Sequence, residues 1–170
     1  RDLLQLMSKD GSLRNWTDQK LLDLHIKDKN WKEACELCES IYKNNGRKDA
    51  GLLSNLNLLL GRQHCENGEY HKSRLAYKEA LSLNENNPLP YLYIAETYLL
   101  ERRIEDGLEF LKKLCTKVPS YSFLGFAMIE ETLFHLGKFG EVEEIYRGVL
   151  NRDSNNIPAK IALAGILEKK

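Results

Sequence analysis

Apolar and small residues recur at steps of three and four along most of the chain, and the interval from Leu56 to Pro88 carries the pattern most plainly. Leu60 and Gly61 are followed by His64, and after Asn67-Gly68 the series resumes with Tyr70, Ser73, Tyr77 and Ala80. The second set falls on one face of a helix, so the spacing predicts two helices joined by a tight turn and folded back antiparallel. A glycine in mid-helix costs about 1 kcal/mol relative to alanine. At position 61 it predicts a partner helix packed too closely for a side chain.

The same order returns along the chain. Leu21, Leu22 and His25 precede Trp31, Ala34, Cys38 and Ile41, at a step of 39 residues from Trp31 to Tyr70. A third unit follows at a step of 34, with Tyr91, Ile94, Ala95 and Tyr98, then Ile104, Gly107, Leu111 and Leu114. A fourth follows at 35, with Ile129 and Leu133, then Gly137, Phe139, Val142, Tyr146 and Val149. The longer first step is placed in the polar stretch Asn44 to Asp49, because exposed connections tolerate insertions. Asn30 with Glu33 reads as a capping box, and Asn87 as a cap with Pro88 in the first helical turn. Glu130 stands where a small residue is expected, which predicts splayed helices or a carboxylate turned outward there.

This order of large and small residues resembles the tetratricopeptide repeat. The resemblance implies an all-α, right-handed superhelical solenoid of antiparallel helix pairs. The expected division is the tail of a truncated repeat over 1–11, ended by Gly11; repeats over 15–44, 54–87, 88–121 and 122–156; and the first helix of a fifth over 157–170. One hairpin buries only the face between its helices, so stacked neighbours complete the core and leave a concave surface. In such stacks the first helices line that surface.

First-helix positions outside the packing set are therefore the candidate partner-binding residues. They are Asp23 and Ile26 in the first repeat, Leu58 and Arg62 in the second, and Leu92, Glu96, Leu99 and Leu100 in the third. Glu131, Phe134 and His135 complete the set in the fourth. Asp23, Arg62, Glu96 and Glu131 form a charged row that would fix register, and Leu58, Leu99, Leu100 and Phe134 would supply apolar contact to an extended or helical segment of another protein. Tetratricopeptide proteins that clamp chaperone tails carry a basic, asparagine-rich set here; Gln19, Asp23, Leu58, Arg62, Leu92 and Glu96 do not match it.

Charge narrows the partner class. The chain carries 25 basic and 25 acidic residues, so no global field draws it to nucleic acid or an anionic membrane. Its basic residues come in pairs such as Arg102 and Arg103, without interleaved aromatics, so nucleic acid is not an expected partner. No run of 18 apolar residues exists to span a bilayer, and four cysteines fit a reducing compartment better than a disulfide framework.

Catalytic chemistry is not expected. Cys35 and Cys38 form a C-x-x-C inside a helix, where Cys38 takes a packing position. A zinc site would need ligands such as His25, His64 and Cys65, but the second half of any ligand motif is missing. Adjacent carboxylates such as Glu130 and Glu131 diverge by about 100° on a helix. No phosphate loop, dinucleotide fingerprint or nucleophile elbow occurs. No catalytic, cofactor-binding or metal set is assigned.

From Leu21 to Ile41 the chain reads LLDLHIKDKNWKEACELCESI. Its LL-x-L first helix, W-x-x-A second helix and long following loop, with the weak fourth unit at EETLFHLGKF, resemble the cytosolic region of the bacterial lipopolysaccharide assembly protein B family. That resemblance implies a regulatory adaptor linking a lipid A pathway enzyme to a membrane protease. It also implies tethering to the cytoplasmic face of the inner membrane by an N-terminal helix outside these residues, and a separate metal module beyond them. A general scaffold for another bacterial assembly or secretion machine is the alternative.

Overall fold

A computed structural model describes residues 11–45 and 50–168. Among these residues it contains nine α-helices, one short 3-10 turn and no strand. The helices are α1 (Gly11–Lys27), α2 (Trp31–Asn45), α3 (Ala50–Glu66), α4 (Tyr70–Leu83) and α5 (Pro88–Leu100). They continue as α6 (Ile104–Lys117), α7 (Ser122–His135), α8 (Phe139–Arg152) and α9 (Ile157–Leu167), with the 3-10 turn Pro119–Tyr121 before α7. Gly11, expected to end a helix, opens α1 instead, and residues 1–10 lie outside the described residues. Asn44 and Asn45 extend α2 rather than opening a loop, and α3 starts at Ala50, ahead of the expected 54.

Each helix packs chiefly on its neighbours in sequence. Burial is correspondingly distributed in clusters along the array, as a stack of incomplete units requires. One cluster joins Leu22, Ala34, Cys38 and Leu53; another joins Leu58, Tyr77, Ala80 and Ile94; a larger one runs from Ala95 to Ile166.

The turns inside successive hairpins share one backbone device. Lys29, Gly68, Arg102 and Gly137 all adopt positive φ, at 59°, 73°, 61° and 69°. After each, an amide reaches back over the helix end: Asn30 N–H to His25 carbonyl at 2.8 Å, Glu69 to His64 at 2.8 Å, Arg103 to Tyr98 at 2.9 Å and Lys138 to Leu133 at 2.8 Å. This left-handed closure satisfies carbonyls that the helix leaves open. Helix starts use a second device. The Asn87 side chain accepts from the Leu89 amide at 3.0 Å and the Asn156 side chain from the Ala159 amide at 2.9 Å, each beside a proline.

Residues sixteen apart in sequence hold matching places in each pair: Leu22 and Cys38, Gly61 and Tyr77, Ala95 and Leu111, Glu130 and Tyr146. In the first three, a large residue is matched with a small one and both members belong to the packed interior, so volume is kept while the bulky partner changes sides. At Gly61 the fit is closed: an added Cβ would overlap the Tyr77 ring, 2.5 Å from Cδ1. The fourth pair follows another rule. Glu130 accepts a hydrogen bond from the Tyr146 hydroxyl, and α7 and α8 come close over far less of their length than α3 and α4.

Candidate binding site

The first helices α3 and α5, with Tyr77 of α4 between them, enclose a recess of about 410 Å³. Arg62, Cys65 and Glu66 line one side, Tyr93 and Glu96 the other. The steps of three and four on each helix bring these side chains to one face. The Tyr77 and Tyr93 rings lie 5.3 Å apart and inclined by 39°, forming an aromatic wall. Arg62 Nε donates to Glu66 Oε1 at 3.0 Å, so these two charges offset each other across one helical turn. Glu96 supplies the remaining negative charge. Burial, then Glu96 and Glu66, pushes the Cys65 thiol up. Burial pushes Tyr77 up to about 12, with the nearby Cys65 and Glu96 adding. A protonated thiol and the protonated Tyr77 phenol beside a carboxylate suit recognition, since a nucleophilic thiol would need the opposite shift.

The expected site residues fall into three groups. Arg62 and Glu96 meet in this recess. Ile26, Leu58, Leu92 and Leu99 are drawn into packing. Leu58, expected to offer apolar contact, is only 8% exposed because Tyr77, Ala80 and Ile94 close over it. Ile26 and Leu92 are half-buried against their clusters, and Leu99 lies against Gly107. Asp23, Leu100, Glu131 and His135 are exposed, with Asp23 4.0 Å from Lys20 in a separate shallow site beside Asn15, Trp16 and Gln19. Phe134 is half-buried and pairs with Phe139 at 5.1 Å between ring centres.

Tyr93 was absent from the sequence reading. It shares one register position with Leu59 and Met128, and the structure leaves all three at least partly exposed. A second recess, about 690 Å³ between α6 and α8, is lined by Lys112, Thr116, Glu144 and Arg152 among others, a mixture of charges without an aromatic wall.

Cys35 and Cys38 lie within α2 and are buried; burial first, then Cys38 and nearby glutamates, pushes the Cys35 thiol up to about 12. Among the described residues no group of three His, Cys, Asp or Glu side chains could hold a metal ion. His64 instead shares a 2.6 Å hydrogen bond with Glu69 across the hairpin turn. No helix of the described residues is long and apolar enough to cross a membrane.

No family model matches the chain, and no curated protein sequence matches it. Solved structures do. A tetratricopeptide repeat protein from Parabacteroides merdae superposes with a TM-score of 0.55 at 17% identity, covering 91% of this chain and 59% of that one. The MamA protein superposes with a TM-score of 0.51 at 12% identity, covering 91% of this chain and 81% of that one. At such identities the likeness is one of fold. The protein is an all-α, right-handed solenoid of antiparallel helix pairs of the tetratricopeptide type.

Proposed function

We propose that this array is a non-catalytic protein-binding module that holds a segment of another protein along the first helices, on the concave face of the solenoid. The observation that carries the reading is the recess between α3 and α5, with its aromatic wall and a carboxylate open to solvent. Stacked repeats display such surfaces over several units, so exposed Leu100 and Glu131 extend the same contact line. The balanced charge of the chain favours a protein partner over nucleic acid.

In its finer form the proposal follows the resemblance of residues Leu21 to Ile41 and the repeats after them: a regulatory adaptor in lipopolysaccharide biosynthesis, held at the cytoplasmic face of the inner membrane by an anchor outside these residues. It would join a lipid A pathway enzyme to a membrane protease. The general scaffold shares the same module and differs in its partners.

Photo-crosslinking in the native cell tests both levels. A benzophenone amino acid placed at Leu100 or Glu131 is expected to give a discrete protein adduct, while the same group at Lys78 or Lys113 on the second helices gives none. Adducts confined to the second helices would sink the concave-face reading. Mass spectrometry of the adduct then separates the roles: a lipid A enzyme or membrane protease supports the adaptor, and components of another assembly machine leave only the scaffold.

A further inference from the structure

We infer that the recess between α3 and α5 is an arginine subsite, in which a guanidinium presented by the bound segment stacks on Tyr93 and pairs with Glu96. The inference rests on the protein-binding reading above and names the chemistry of its ligand.

Helix α5 with its C-cap residue carries the pattern Tyr-x-x-Glu twice, as Tyr93-Ile94-Ala95-Glu96 and as Tyr98-Leu99-Leu100-Glu101. A spacing of three puts each ring and its carboxylate side by side on the helix. The protein fills the second pattern with its own cation. Arg74 of α4 places its guanidinium carbon 4.3 Å from the centre of the Tyr98 ring and its Nη1 2.7 Å from Glu101 Oε2. That nitrogen is aimed off the hydrogen-bond line, so the contact is an ion pair combined with stacking. The Arg74 side chain is buried by it.

The first pattern is built alike and faces the recess. Among the described residues no cationic side chain pairs with Glu96, and Arg62, the nearest basic residue in the recess, is engaged by Glu66. The surplus charge is therefore negative and sits beside an aromatic wall. A carboxylate or phosphate would be repelled there. Arginine fits better than lysine because a planar guanidinium stacks on a ring while its fork meets a carboxylate, and its weaker hydration lowers the cost of entering.

The test screens a phage-displayed library of random peptides against the whole chain, then measures the selected peptides by fluorescence anisotropy. Selected peptides should share an arginine whose replacement by citrulline, uncharged and of nearly equal shape, weakens binding roughly tenfold or more. Glu96→Gln should weaken the arginine peptide by a similar factor and leave the citrulline peptide nearly unchanged, with an unaltered melting curve as the control. Peptides that bind without an arginine, or that ignore Glu96→Gln while responding to Leu100→Ala or Glu131→Ala, would overturn the arginine subsite and leave protein binding standing. If no selected peptide responds to any of these substitutions, both readings fall.

Discussion

The Tyr146 hydroxyl donates a hydrogen bond to the Glu130 carboxylate, and the pair stands two hairpins on from Tyr77 and Gly61 in the same register. Where Gly61 lets a ring lie against the backbone, Glu130 holds the ring at a distance and anchors it by its polar end. A hydrogen bond to a charged group contributes about 1.5–3 kcal/mol. Tyr146→Phe removes the donor and leaves Glu130, which is half-buried, without it. We expect the variant to lose about 1 to 3 kcal/mol in urea unfolding. Combined with Glu130→Gln, the loss should be less than additive, because both substitutions break one contact. An unchanged midpoint for Tyr146→Phe would mean that the bond contributes nothing.

Gly61→Leu is expected to destabilise the array by at least about 1 to 3 kcal/mol, the usual range for overpacking, since even a Cβ meets the Tyr77 ring. The first hairpin shows how the strain should be relieved. Leu22 and Cys38 occupy the corresponding positions with the large residue on the other helix. Adding Tyr77→Cys to Gly61→Leu should therefore recover part of the loss, although Tyr77→Cys alone leaves a cavity and also destabilises. If the double variant is no better than the sum of its parts, the two helices do not share volume in this way.

Much of the fold was legible in the sequence because a repeat states its pattern several times. Gly61, Asn87 with Pro88, and the Asn67-Gly68 turn each have one local physical cause, and each does what that cause requires. Gly11 and the Asn44-Asn45 pair were misread because turn-forming residues also stand at helix ends, and packing decides which. The site was harder to read. Register identified Arg62 and Glu96 as neighbours on adjacent first helices, but could not say that Leu58 would be closed over by Tyr77 and Ile94. Tyr93 was missed because its exposure depends on how far α3 and α5 diverge, which no single repeat encodes. The ion pair of Arg74 with Glu101 joins positions 27 apart without sharing a register, so no periodic argument reaches it.

The positive φ of Lys29 and Arg102 gives a stability prediction of opposite sign. Side chains with a Cβ pay roughly 1–2 kcal/mol in the left-handed region, and glycine avoids that cost at the expense of a more flexible unfolded chain. Lys29→Gly and Arg102→Gly are each expected to stabilise by about 0.5 to 1 kcal/mol. Gly68→Ala and Gly137→Ala, at the same turn position, should destabilise by about 1 kcal/mol, although neither Cβ would touch any neighbouring atom. Thermal melts of the four variants check this, and a uniform sign across them would contradict the turn assignment.

Alkaline pH should weaken the fold. Burial pushes Cys35 and Cys115 up to about 12 from 9.0. Burial likewise raises Tyr77 to about 12 from 10.0, and raises Tyr146 further, with the Glu130 hydrogen bond adding to the effect. In the unfolded chain these groups ionise near their ordinary values, whereas in the folded chain they keep their protons. Their contribution to stability is therefore complete below pH about 9 and is lost as pH climbs toward 12. The melting temperature is expected to be level up to pH about 8.5 and then to fall steadily. Tyr146→Phe, though less stable at neutral pH, should show a shallower alkaline decline because one raised group is gone. Tyrosinate absorbance read beside the melts decides the cause: full titration of the tyrosines at their ordinary pH in a chain that is still helical would show that burial does not hold their protons.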